Sequence, residues 1–435
     1  MNHTFRVLPA RLSALLTAVA GLLAVSPVQA KNLSTPSTRP GEILLKLSSP
    51  DQLPALLVKH RLSLVSRLGA RPIFRLKVIG NAKVSTTVSA LALEPGVLIA
   101  EPNVLHAGPE AAKNNVWAIG TAQAFVAQWA PAAIRLPDAW RLSTGVGTRV
   151  AVLDTGVDAS HPLLAGRLLP GWDFVDDDAD ADEVGTRADP GYGHGTHVAG
   201  LVALAAPGVK IMPLRVLNPQ GAGDAWALAA AMLHAVDPDG NPATDDGAHV
   251  INLSLAGLVR TRLLDSVALL TACVAPDPAV PSDDLSDSGY EGDRERCSGF
   301  GGAVVVAAAG NDGSRSLKTY PAAEGAYGLI AVAASTASGR LAAFSNSGRW
   351  IQMAAPGDGV TSSVPGGWGT WSGTSMAAPL VSGTAALMHS LAPRLGARGI
   401  ARCLTRNTRT LAGSAIGQLD AHATLQALGN RGTCR

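Results

Sequence analysis

Aromatic residues make up only 4% of this 435-residue chain, and charged ones only 16%. Nucleic-acid binding calls for stacking platforms or a basic groove along the phosphates. With 35 Lys and Arg against 33 Asp and Glu the formal net charge is +2. Neither nucleic acid nor a charged membrane surface is therefore expected as a partner. The four cysteines, Cys273, Cys297, Cys403 and Cys434, include no CxxC spacing, which argues against a zinc site or a thioredoxin-type redox role. Beyond residue 30 no apolar run reaches the roughly 18 residues of a membrane span. No glycine-rich phosphate loop follows the first strand of the large region. What the chain holds in quantity is small residues, 47 glycines among them, and these let helices lie close on a sheet.

The N-terminus reads as an export signal. His3, Arg6 and Arg11 precede the apolar run LSALLTAVAGLLAV, and SPVQA follows with Val28 and Ala30 at the small positions before a cut. That run is too short to cross a bilayer as a helix. Residues 1–30 are thus expected to be removed and the protein to be secreted, periplasmic or extracellular. Outside the cytosol an even cysteine count favours disulfides. Of the three connectivities, Cys273–Cys297 and Cys403–Cys434 each close one local loop and are preferred.

A polar Pro/Ser/Thr-rich linker follows to about Arg39. From Gly41 the pattern is strand (GEILLKL), helix (DQLPALLVKHRL), strand (PIFRLKVI), helix (VSTTVSALAL) and strand (GVLIAEPNVL). This α+β module, within residues 31–110, is small enough to be only marginally stable alone. The segment HAGPEAAKNNVWAIG then breaks the pattern.

In residues 111–435 the texture changes. TRVAVLDTG, VKIMPLRVL, AHVINLSLAG, AVVVAAAGN, GLIAVAAS and WIQMAAPG are apolar runs ending in turn residues, the mark of parallel strands buried on both faces. GTHVAGLVALA, AWALAAAMLHAV, RLLDSVALLTACV and SMAAPLVSGTAALMHSL read as helices between them. The alternation predicts an α/β fold, a doubly wound and mostly parallel sheet with helices on both faces. In such sheets reactive groups collect outside the carboxyl ends of the strands.

Three residues stand where that rule points. Asp154 ends the strand of AVLDTGVDASHP, His194 opens a helix in GYGHGTHVAG, and Ser375 opens another in GTSMAAP. A serine hydroxyl is a weak nucleophile that needs an imidazole base, itself oriented by a buried carboxylate. Each residue alone has a blander reading as a turn cap, a loop histidine or a helix cap. Together, in the strings DTGVDASHP, HGTHVAG and GTSMAAP and in that order, they resemble the signature blocks of the subtilisin-like serine peptidases. The likeness runs from about Gln128 to about Leu425.

That resemblance implies roles. Asp154 orients, His194 is base and then acid, and Ser375 attacks the peptide carbonyl. The string AAAGNDG matches the family's oxyanion block and makes Asn311 a donor there. Ser254, Leu255 and Ala256 in INLSLAG would line the cleft, with Gly310 on the opposite wall of the first specificity pocket. Neither stretch contains an acidic residue, so uncharged apolar side chains are the expected preference. The small module resembles the family's inhibitory propeptide, which would be the chain's own partner beside protein and peptide substrates, and the enzyme would be a monomer. A catalytically silent peptide-binding homologue is the alternative, but its sign would be a lost triad or oxyanion residue.

No cofactor is required for such chemistry. Calcium is the candidate ion: Asp173, Asp176 and Asp178 in GWDFVDDDADADE match a calcium loop of some relatives, though acidic runs are more often simply solvated. A second calcium site common among relatives is not expected, because Leu163 stands after SHP where they carry a carboxylate.

Overall fold

Ile43, Leu44 and Leu45 face opposite sides of one strand, and that alternation builds the N-terminal module. Its strands are β1 (Thr38–Leu47), β2 (Leu62–Arg67), β3 (Ile73–Val78) and β4 (Val97–Ala107), antiparallel in the order β2-β3-β1-β4. Helices α1 (Leu53–Lys59) and α2 (Val84–Leu91) cover one face, where Ile43, Leu45, Phe74, Leu76 and Leu91 form a core. The opposite face sends Leu44, Ile73 and Val104 into a core shared with the large domain. The expected helix over residues 51–62 ends at Lys59, and β2 is an addition. His60 and Arg61 turn the chain, with Arg61 in the left-handed region at φ 52°.

The computed structural model describes residues 37–108, 118–241, 244–272, 302–325, 328–429 and 434. The expected signal segment, the Cys273–Cys297 pair and the loop they enclose lie outside these residues. All described residues belong to a unit spanning Asn32–Arg435.

The large domain opens with β5 (Ala118–Ile119) and three short helices, α3 (Ala122–Ala127), α4 (Trp129–Ala133) and α5 (Leu136–Ala139). Its main strands are β6 (Arg149–Asp154), β7 (Trp172–Asp173), β8 (Lys210–Arg215), β10 (Val250–Leu253), β11 (Val304–Ala308), β12 (Leu329–Ser335), β13 (Met353–Pro356), β16 (Thr408–Thr410) and β17 (Gly417–Leu419). They form one nine-stranded sheet in the order β16-β17-β13-β12-β11-β10-β6-β8-β7. Every pairing is parallel except β16 with β17. The six strands read from sequence are all present, and β10 to β13 are buried throughout, as continuous apolar runs require. Outside this sheet lie β9 (Ala222–Asp224), which joins the module's sheet beside β4, and the hairpin of β14 (Val360–Val364) and β15 (Gly367–Trp371).

Helices α6 (His194–Ala205) and α9 (Thr374–Leu391) pack on one face with α10 (Ala397–Arg406) and α11 (Ala421–Ala427), while α7 (Ala225–Val236) and α8 (Arg262–Thr271) cover the other. The α6 and α9 backbones approach so closely that a β-carbon on Gly383 would fall 2.4 Å from that of Ala205. Cys403 and Cys434 form a disulfide, the second of the two preferred pairings. Among the described residues no helix is long and apolar enough to cross a membrane.

Candidate active site

The hydrogen-bonded parallel strand β6 delivers Asp154 at its carboxyl end, fully buried. Its Oδ1 accepts from the Thr155 N–H at 2.8 Å and lies 2.7 Å from His194 Nδ1. His194 is the first residue of α6, reached through Gly193 in the left-handed region at φ 85°. A carboxylate at Nδ1 sets the tautomer, leaving Nε2 to exchange protons. Trp371 stands beside His194, its ring 6.2 Å away, and His197 stacks on the same indole at 4.6 Å and 1°. Burial, with His194 second, pulls His197 down to about 3, so it stays neutral and serves as packing.

Ser375 is the second residue of α9 and is buried, its hydroxyl donating to the Ser254 carbonyl at 3.2 Å. The Ser254 hydroxyl returns a bond to the Ser375 carbonyl at 2.9 Å. This double tie joins the end of β10 to the start of α9. Asn311 follows β11 and Gly310, whose φ of 90° suits glycine. Its Oδ1 accepts from the Thr374 N–H at 2.9 Å, while the Thr374 hydroxyl accepts from the Gly310 N–H at 3.0 Å. Holding Oδ1 in this way orients the amide so that its NH2 is the donor end. Asp154, His194, Ser375, Asn311 and the stretch Ser254–Leu255–Ala256 therefore sit at the carboxyl ends of adjacent strands β6, β10 and β11 or at the helix starts beside them. Ser254, Leu255 and Ala256 are all buried.

The module reaches this place. The Ala107 N–H donates to the Ala256 carbonyl at 3.0 Å, and the Ala256 N–H to the Ala107 carbonyl at 2.8 Å. On its other edge the same strand pairs Leu105, His106 and Ala107 with Asp224, Gly223 and Ala222, and the Gly108 N–H reaches the Gly221 carbonyl. Residues 105–108 thus lie as an added antiparallel strand between two segments of the large domain. The module also caps two of its helices. The Glu101 carboxylate accepts the N–H groups of Arg262 and Leu263 at the start of α8. The Asn103 side-chain oxygen accepts the Trp226 N–H at the start of α7.

In the acidic loop the aspartates meet partners from the chain itself. Asp173 and Asp176 both pair with the Arg215 guanidinium, which is 2% exposed, so a cation from the chain itself stands between them. The Asp178 carboxylate instead accepts the N–H of Asp180. Among the described residues no group of three His, Cys, Asp or Glu is arranged to hold a metal ion. The sequence pattern misses Arg215 because nothing local marks an arginine inside an apolar strand as the partner of a loop 40 residues earlier. It also passes over Glu183, which hydrogen-bonds Thr155 and Thr196 beside the Asp154–His194 pair.

A carboxylate-held imidazole and a helix-start serine at one edge of a parallel sheet are the equipment of acyl transfer. The class defined by this fold and site is that of α/β serine hydrolases. Comparison narrows it: a model described as the subtilase family matches residues 145–426. The chain is 35% identical over 329 residues to the thermophilic serine proteinase of Bacillus sp. strain AK1, covering 73% of this chain and 69% of that protein. It is 35% identical over 274 residues to thermitase of Thermoactinomyces vulgaris, covering 60% and 82%. Fervidolysin from Fervidobacterium pennivorans, a keratinolytic enzyme related to subtilisin, superposes with a TM-score of 0.68 at 25% identity over 90% of this chain and 62% of its own length. The chain belongs to the subtilase family, and it is a serine endopeptidase.

Proposed function

We propose that Asp154, His194 and Ser375 are the catalytic triad of an exported endopeptidase made as a zymogen, with residues 31–110 its inhibitory propeptide. The observation that carries this reading is the strand Leu105–Gly108. It is docked against Ala256, two residues from Ser254, whose carbonyl accepts the Ser375 hydroxyl. A peptide substrate held in the same extended way would bring its scissile carbonyl toward that serine.

In the reaction, Ser375 Oγ attacks the carbonyl carbon while His194 Nε2 takes the hydroxyl proton. Asp154 holds the imidazolium through Nδ1–H and stays ionised. The tetrahedral oxyanion receives the Asn311 NH2 and the Ser375 N–H, and the α9 N-terminus adds its positive dipole end. Collapse expels the amine, which takes the proton from His194. Water then repeats the sequence on the acyl-enzyme.

Ser254, Leu255, Ala256 and Gly310 form the first specificity pocket, which favours uncharged apolar side chains. Maturation cuts the chain past Gly108, where the docked strand ends. The Cys403–Cys434 disulfide supports export to an oxidising compartment. The test is a fluorophosphonate probe on the secreted wild type and on Ser375→Ala, with intact masses of both. Labelling of a wild type shortened by roughly a hundred residues, beside an unlabelled full-length Ser375→Ala, supports the proposal. A folded wild type that resists the probe overturns it in favour of a silent peptide-binding homologue.

A further inference from the structure

Asp154 is held by surprisingly little. Its Oδ1 accepts both the Thr155 N–H and the His194 Nδ1–H, and its Oδ2 is buried without a hydrogen-bond partner among the described residues. The carboxylate plane therefore depends on where the Thr155 peptide sits relative to the first turn of α6. These two pieces of chain are 40 residues apart, and the loop between them is mostly irregular.

One side chain from that loop ties them together. Glu183 Oε1 accepts the Thr155 hydroxyl at 2.5 Å. Its Oε2 accepts the Thr196 hydroxyl at 2.8 Å and the Thr196 N–H at 3.2 Å. Both threonines are at most 1% exposed. Each hydroxyl has one proton, and donating it to Glu183 turns its lone pairs to backbone N–H groups. Thr155 Oγ1 accepts from Gly195 at 2.9 Å, and Thr196 Oγ1 accepts from Asp158 at 2.9 Å. The carboxylate thus directs two hydroxyls at once, and through them it joins the residue after Asp154 to the residue after His194. It also takes one of the orphan N–H groups of the α6 start, where a negative charge is favoured.

We propose that Glu183 is a positioning residue of the peptidase reaction, holding the Asp154–His194 pair in register through Thr155 and Thr196. The proposal rests on the triad reading given above. A glutamine at this position keeps the shape but must turn its NH2 toward one of the threonines, which makes that hydroxyl an acceptor there and takes away the acceptor for its proton. The Asp154 carboxylate on β6, His194 on α6 and Tyr192 in the turn before it face the same region. Burial, against the two threonine bonds, pushes Glu183 up to about 7.

The test has two arms. The first compares kcat, KM and the pH profile of kcat/KM for the secreted wild type and Glu183→Gln on one apolar peptide substrate. The expected result is a fall in kcat of about tenfold or more, because small misplacements of reacting groups are costly, with KM within about twofold. The acid limb of the profile also moves to lower pH, since a nearby negative charge that favours imidazolium is gone. The second arm titrates the His194 ring by NMR in full-length Ser375→Ala, with and without Glu183→Gln. It needs neither turnover nor maturation, and a lower His194 pKa in the double variant is expected. Unchanged kcat and an unchanged His194 titration overturn the proposal. So does a kcat loss that comes with a lower melting temperature while His194 titrates as before, since Glu183 would then serve folding alone. If the wild type itself has no activity, the triad reading fails and the His194 titration still decides the role of Glu183.

Discussion

His106 of the N-terminal module lies against Gly257 of the large domain so tightly that a β-carbon on Gly257 would fall 2.4 Å from the imidazole Nδ1. His106 is 2% exposed, and its ring approaches the Tyr320 backbone. Burial draws its pKa down from 6.5 to about 4, against the Asp224 carboxylate and the Tyr320 backbone, which pull it up. The docked module therefore holds the neutral ring. Its contribution is complete above pH 6.5 and is lost as pH falls toward 4, by up to about tenfold in the docking equilibrium per pH unit. In full-length Ser375→Ala carrying Glu101→Gln, which removes the opposing titration of Glu101, hydrogen-exchange protection of β4 should fall over that window, after correction for intrinsic rates. His106→Leu should flatten the fall. A slope that persists in His106→Leu would put the sensor elsewhere.

Glu101 has the opposite sign. Burial raises it to about 7, and the Leu263 and Arg262 N–H bonds only partly offset that. The protonated form is favoured in the docked state, so its contribution is complete below pH 4.5 and is lost as pH rises through 7. Compared in the His106→Leu background, where the opposing imidazole titration is gone, Glu101→Gln should leave docking nearly constant between pH 5 and 7 where Glu101 weakens it, read by the same exchange measurement. Equal slopes in the two proteins would refute the assignment.

Asn311 should matter to turnover rather than to binding. Removing one oxyanion donor costs about 100- to 1,000-fold in kcat, a magnitude already known for this family. Asn311→Ala is expected to lose activity within that range at nearly constant KM. A loss carried by KM instead would mean that Asn311 acts on substrate binding.

Arg215 and Asp173 are each 2% exposed. Removing one partner of a buried ion pair costs about 3–5 kcal/mol because the other charge is left unpaired. Arg215→Met should destabilise by that order in denaturant unfolding of full-length Ser375→Ala, where self-digestion is absent. The double change Arg215→Met with Asp173→Asn should recover part of the loss. No recovery would mean that Arg215 acts by packing alone.

Much of the site was legible because its signals are local. Asp154, His194 and Ser375 each sit within a few residues of a strand end or a helix start, and turn chemistry and apolar runs mark such places. The same holds for Asn311 after AAAG and for the six parallel strands, whose burial on both faces makes them uninterrupted apolar runs. Strand β2 was hidden because LSLVSR follows a helical pattern without a turn signal stronger than His60–Arg61. The hairpin β14–β15 was hidden because its glycines and serines carry little periodicity.

The sequence by itself determined the α/β class and the six main parallel strands, and it marked the residues proposed to react, since each depends on neighbours within one turn or one strand. Only the tertiary structure decided that Arg215 takes the Asp173 and Asp176 carboxylates and that Glu183 bridges Thr155 and Thr196. It also decided that His106 is shut away from water against Gly257. These outcomes depend on which side chains lose water together when distant segments meet. A carboxylate or imidazole has no charge state or partner of its own until that burial is set.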